Sequence, residues 1–134
     1  KLRVLDMSWN RISVNDTKHS KPVRDLLSSV LNSLQELQAL SLAYNRLHDR
    51  GCAVVLSATS SLKDLRVLDL AFCFITELSL SPLTTYLKTA RPEVLMLQGI
   101  SLSLSHKKAL KVPGGIRERE REKEKERERE RRKE

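Results

Sequence analysis

Thiols and imidazoles, frequent nucleophiles, general bases and zinc ligands, are few: Cys52 and Cys73, with the histidines His19, His48 and His106. Cysteine and histidine together would support thiol catalysis or a zinc site, and either requires the groups to converge. Their separations give no ligand spacing, and no C-x-x-C, H-E-x-x-H, G-x-S-x-G or phosphate-cradling glycine loop is present. Cys52 opens a helical stretch, where a lowered pKa would make a thiol reactive, yet nothing in the sequence places a base beside it. Catalysis, a cofactor and a metal are therefore without candidate residues. What remains is a chemistry of contact, carried by the rings of Trp9, Tyr44 and Phe72 and by the carboxylates of Asp6 and Asp69.

Those rings recur because the chain repeats. Leu2-Arg-Val-Leu5-Asp-Met7-Ser-Trp-Asn10-Arg-Ile12 returns as Leu37-Gln-Ala-Leu40-Ser-Leu42-Ala-Tyr-Asn45-Arg-Leu47 and as Leu65-Arg-Val-Leu68-Asp-Leu70-Ala-Phe-Cys73-Phe-Ile75. A weaker fourth copy runs from Pro92 through Leu95 and Leu97 to Ile100 and Leu102. Each copy follows L-x-x-L-x-L-x-x-N/C-x-L, a pattern that resembles the leucine-rich repeat family over about residues 2–110. The second leucines stand at 5, 40, 68 and 95, and the later spacings of 28 and 27 are similar to the long, helix-bearing, ribonuclease-inhibitor-like subclass. The resemblance implies an α/β fold, a leucine-rich repeat solenoid of right-handed βα units with a parallel sheet on the concave face and helices on the convex face.

The residues support the same alternation by themselves. Leu40-x-Leu42 and Leu68-x-Leu70 send two leucines to one face of a short strand and the residue between them to the other. After each strand the turning backbone leaves polar groups unpaired, and a buried Asn side chain can satisfy donors and acceptors alike. Asn10 and Asn45 are expected to do this, Cys73 more weakly, and Ile100 not at all, so the fourth copy is expected to be loose. Val23, Leu26, Leu27, Val30, Leu31 and Leu34 recur at helical intervals, with Ser20 as N-cap and Pro22 in the first turn. A second helix is predicted from about Arg50 to Ala58. A third is predicted to begin at Ser81-Pro82, to bury Leu83, Tyr86 and Leu87, and to end near Arg91-Pro92. The first spacing, 35, is longer because of the polar stretch Ser13 to Lys21. Its Asn15-Asp-Thr17 triplet is formally a glycosylation sequon, and a surface loop is expected there.

In such a fold binding sits on the free face of the strands. The columns expected to be exposed hold Asp6, Ser8, Ser41, Ala43, Asp69, Ala71, Met96 and Gln98, with Val4, Ala39, Val67 and Val94 beside them. The ring column of Trp9, Tyr44 and Phe72 ends at Gly99. The rings could anchor a protein interface, where aromatics carry much of the energy, or pack on one another as part of the repeat. Asp6 and Asp69 could receive Lys or Arg from a partner, or be solvated beside Arg3 and Arg66. The three histidines fall in different repeats and are expected on the surface.

Charge divides the 134-residue chain in two. Of 25 Lys+Arg and 17 Asp+Glu, residues 117–134 hold ten basic and eight acidic side chains and nothing apolar, so the body carries +6 and the tail +2. Domain limits of 1–112 for the repeats and 113–134 for the tail follow, with Pro113-Gly-Gly115 as the break. The tail alternates Arg or Lys with Glu, which places opposite charges at i,i+3 and like charges at i,i+4, so a helix-prone, solvated segment is expected. It is similar to mixed-charge tracts of nuclear RNA-processing proteins, and also to what a simple purine repeat encodes when read through. Binding of nucleic acid by the tail has little support, because its acids nearly cancel its bases.

Cysteines without a framework favour an intracellular setting, cytoplasmic or nuclear. No stretch approaches the roughly 18 apolar residues of a membrane span. The chain opens at Lys1 without a methionine or a signal-peptide pattern, so a repeat domain incomplete at both ends is expected. Uncapped repeats are expected to be marginal in stability and to self-associate. The functional expectation is a non-catalytic protein-binding scaffold, with +6 on the body favouring an acidic partner. The alternative is a nuclear RNA-associated factor that acts through its tail.

Overall fold

The computed structural model describes residues 1–15, 20–100, 102, 110 and 127–133. Four strands, β1 (Val4–Asp6), β2 (Ala39–Ser41), β3 (Val67–Asp69) and β4 (Val94–Met96), form one parallel sheet in the order β1-β2-β3-β4. Between them run α1 (Lys21–Ser33), α2 (His48–Thr59) and α3 (Leu80–Thr89). The register aligns Leu5, Leu40, Leu68 and Leu95 across the sheet. Leu40, Leu68 and Leu95 are fully buried, as are Leu42, Leu70 and Leu97, so the leucine pattern lines one continuous core. This is an α/β leucine-rich repeat solenoid, and sequential neighbours pair because each strand-helix unit buries its apolar face only against the next.

The polar ladder follows the turn chemistry. Asn45 is buried, and its Oδ1 accepts from the backbone N–H of Asn10 at 3.1 Å and of Ile12 at 2.9 Å. Its Nδ2 donates to the carbonyls of Met7 and Leu42, both at 2.9 Å. One side chain thus ties the first two copies together. Cys73 does half of this work, its thiol donating to the Leu42 carbonyl at 3.0 Å. Asn10 departs from expectation. It is exposed, and its side chain bonds within its own turn, to the Ser8 carbonyl, because no earlier copy among the described residues offers it partners.

The fourth copy is not loose at its strand. β4 pairs with β3 in the same register, and Ile100 is buried in the core, so apolar contact replaces the polar bridge. Beyond it, Leu110 is buried, while the rest of 101–126 other than Leu102 lies outside the described residues. The tail expectation therefore lies outside them too, except that residues 127–133 are helical and exposed.

The helices correct three details. Ser20 stands at the N-cap of α1, but its hydroxyl donates to the Asn15 carbonyl and does not cap. Ser81 is not a cap either: a 3₁₀ turn at Glu77–Ser79 leads into α3, and Thr76 accepts from the Leu78 N–H, so the stop-and-start is set five residues earlier. Pro82 falls within the first turn, where its missing N–H costs nothing. On α1, only Leu27 and Leu31 of the apolar set are buried, whereas Val23, Leu26 and Val30 face outward. Of the long first connection, Val14 is fully buried and Ser13 bridges to Arg46, and the Asn15 triplet continues into residues 16–19, outside those described.

Candidate functional site

Each strand is only three residues long, and this determines what the concave face shows. Past Asp6, Ser41, Asp69 and Met96 the chain turns, so alternation does not carry on to the next column. Ala43, Ala71 and Gln98, expected on the free face, are buried instead, and Ser8 is half-buried. They form the floor under the turn. Asp6 is exposed, and Ser41, Asp69 and Met96 are half-buried on the open side.

The ring column is continuous. Trp9 and Tyr44 stack with centroids 3.8 Å apart and planes within 9°, and Tyr44 and Phe72 follow at 4.8 Å and 18°. The rungs beneath them are backbone bonds from Trp9 N–H to Ala43 O at 3.0 Å, Tyr44 N–H to Ala71 O at 2.9 Å and Phe72 N–H to Gln98 O at 2.7 Å. Mutual stacking was one of the two readings the residues left open, but it does not hide the rings: Trp9 remains 70% exposed and Phe72 41%. The result is a ridge whose ring edges face solvent along the rim of the sheet.

All three ring residues have left-handed backbones, with φ of 62°, 58° and 54°, and Gly99 at the fourth position has 78°. Such a conformation costs a side-chain-bearing residue about 1–2 kcal/mol. The column before the ridge braces it. Asp6 Oδ1 accepts from the Ser8 N–H at 2.9 Å and from its hydroxyl, Ser41 Oγ from the Ala43 N–H at 3.4 Å, and Asp69 Oδ1 from the Ala71 N–H at 3.0 Å. Asp69 also accepts from the Ser41 hydroxyl at 3.3 Å. The Ser8 hydroxyl, then its N–H, hold the Asp6 carboxyl below the usual carboxylate range. Met96 offers only a weak thioether acceptor, and its copy is the one that uses glycine. Asp6 and Asp69 thus each support the turn that presents a ring.

A second pair escaped the sequence reading. Phe74, 61% exposed with φ of 57°, stacks on His48 with centroids 5.4 Å apart. The signal was available, since Phe74 stands two residues beyond the ridge column, where Arg11 and Arg46 stand in earlier copies. His48 is on the surface, as expected; His19 and His106 lie outside the described residues.

The remaining chemical groups are structural. Burial pushes the Cys52 thiol up to about 12 and the Cys73 thiol up to about 11, so neither is a thiolate near neutrality. Burial likewise raises the Tyr86 phenol. Among the described residues, no three His, Cys, Asp or Glu side chains gather as metal ligands, and no helix is long and apolar enough to cross a membrane.

A family model described as leucine-rich repeat matches residues 1–15 and 33–55, the segments that carry the first two copies. No curated protein and no solved structure matches the chain. The matched segments contain the Asn45 ladder and the strands paired at Leu5 and Leu40, and two further strands repeat that geometry in register. By sequence pattern over these segments and by architecture, the chain is similar to leucine-rich repeat proteins.

Proposed function

We propose that this chain is a non-catalytic protein-binding scaffold, and that its concave sheet with the ridge of Trp9, Tyr44 and Phe72 is the contact surface. One observation carries the reading: three successive turns hold a large exposed ring in a left-handed backbone. Glycine would make the same turn without strain, as Gly99 does. Rings kept at that cost in three copies are better explained by what they touch than by the turn they occupy. Aromatic side chains suit the role because they bring area with few rotors to immobilise.

Asp6, Ser41, Asp69 and Met96 border the ridge and complete the surface, while Ser8, Ala43, Ala71 and Gln98 support it from below. The body's positive charge favours a partner of net negative charge, through faster encounter more than through the contact itself. The repeat lengths and helices fit the ribonuclease-inhibitor-like subclass, and a cytoplasmic setting suits two reduced, buried cysteines.

The experiment replaces Trp9, Tyr44 and Phe72 together with alanine and compares capture of proteins from a lysate by the immobilised chains, with circular dichroism as the fold control. Loss of the captured species with unchanged ellipticity supports the reading. Unchanged capture by a folded triple variant ends it. Removing residues 116–134 is expected to leave capture intact, whereas an RNA-directed role for the tail requires its loss.

A further inference from the structure

Helices α1 and α2 enclose a trough that no residue of the ridge lines. Lys21, Arg24, Asp25 and Ser28 form its α1 wall, with Arg50 and Ser57 on the α2 wall, around an open space of about 490 Å³. Three cations and one carboxylate meet there, and Asp25 is already taken by Lys21 at 2.9 Å. Arg24 has no such partner. Its Nε is shut off from solvent and makes no hydrogen bond among the described residues. A charged donor buried without an acceptor is costly, and such groups are rare in folded chains. The placement of the charges adds to that cost. Lys21 and Arg24 stand in the first turn of α1, which holds no acidic residue. Arg50 stands in the first turn of α2, whose acid, Asp49, is turned to Thr76 and Ser79. A first turn is the positive end of its helix dipole, where cations are disfavoured and anions favoured. Two departures from local stability thus converge on one trough, and an anion within it would relieve both.

We infer that this trough binds a phosphate monoester, free or borne on a peptide. The donor set selects the class. Guanidinium and hydroxyl donors stand on both walls, so a bound group is approached from two sides. A carboxylate is planar and turns both oxygens one way. A phosphate monoester, with three terminal oxygens and a charge of about −1.5 to −2, accepts from both walls at once. Ala53 and Val54 are the only apolar residues of the lining, so nothing there offers a ring on which a nucleobase could stack. The class is therefore a simple monoester and not a nucleotide. The trough shares no residue with the ridge, so this site stands or falls independently of the concave-face reading.

Isothermal titration calorimetry of the whole chain tests it with two probes, inorganic phosphate and a phosphoserine peptide, with the unphosphorylated peptide as the blank. The expected result is saturable binding with a dissociation constant of about 1 mM or tighter, weakened at least about tenfold in Arg24→Gln with circular dichroism unchanged. Ser57→Ala, at an exposed helix position that favours alanine, is a second variant whose fold is secure, and it should weaken binding several-fold. Lys63→Gln removes an equal charge from an exposed position outside the trough and should leave binding within about twofold. Equal constants for the two probes assign the site to the free anion, and tighter binding of the peptide assigns it to a protein-borne group; both support the inferred chemistry. Absence of saturable binding by either probe at about ten times that concentration overturns it. So does binding that Arg24→Gln leaves unchanged, that Lys63→Gln weakens equally, or that the unphosphorylated peptide matches. Binding of phosphate is expected to survive replacement of Trp9, Tyr44 and Phe72 by alanine, so failure here is distinguishable from failure of the scaffold reading.

Discussion

The ring of Phe72 fills the space that a side chain on Gly99 would need: a β-carbon there would lie 2.6 Å from Phe72 Cδ1. The ridge is therefore closed at this end by a glycine and open at the other by Trp9. Gly99→Ala meets two penalties, the ring contact and a φ of 78°. The expected loss is about 2–3 kcal/mol of unfolding free energy by urea titration. Pairing Gly99→Ala with Phe72→Ala relieves the contact and leaves the strain, so the two changes should be clearly non-additive. Simple additivity would show that ring and glycine are not in contact.

Asn45→Ala should be among the most damaging single substitutions. It strands the part-buried N–H groups of Asn10 and Ile12 and leaves the carbonyls of Met7 and Leu42 without their donor. The expected cost is about 3 kcal/mol or more, because orphaned buried groups lose their solvation without compensation. Asn45→Cys keeps the weak donor that Cys73 supplies in its own copy, and should cost less than alanine while still failing the two N–H groups. Denaturant midpoints for the three chains would rank wild type above cysteine above alanine, and any other order contradicts the ladder.

The core was legible because its signal is doubly periodic: alternation within a strand and a fixed step between strands constrain the same leucines. Leu5, Leu40, Leu68 and Leu95 could be aligned before any geometry was known, and so could the ring column. Burial of Ala43, Ala71 and Gln98 was not legible, since it depends on where a three-residue strand stops, and small residues suit either side of a turn. The bracing by Asp6 and Asp69 was not legible, because their spacing offered a partner's Lys or Arg, or solvation beside Arg3 and Arg66, and not the backbone N–H groups of Ser8 and Ala71 that they accept from. The two stripes of α1 merged into one amphipathic pattern because Leu26 and Leu27 are adjacent and chemically alike.

Asp49 gives a pH dependence with a definite sign. Partial burial alone would raise its pKa, but hydrogen bonds from the Ser79 hydroxyl at 2.6 Å and from the Thr76 hydroxyl and N–H at 2.7 and 2.9 Å together outweigh burial, and the net shift is downward. A carboxyl depressed on folding stabilises above its unfolded value and loses that contribution as pH falls through its folded value. Wild type should therefore be more stable than Asp49→Asn at neutral pH, by less than about 1 kcal/mol because solvent screens this largely open site, and the gap should narrow below about pH 4. A gap that stays constant into acid would mean the hydrogen bonds do not depend on the charge.

The two thiols provide a probe of how the stack opens. With values pushed up to about 12 for Cys52 and about 11 for Cys73 by burial, each is almost wholly protonated at pH 8, and each side chain is closed off by its neighbours. Alkylation of the native chain at pH 8 should then be slower than that of the unfolded chain by several orders of magnitude, proceeding only through opening. Cys73 joins two copies and Cys52 lies within one helix, so the sites need not open together. If stacking fails repeat by repeat, mild urea should expose them at different rates; equal rates across the titration would indicate a single cooperative unit. Rapid labelling of either thiol in the absence of denaturant would contradict the burial from which the argument starts.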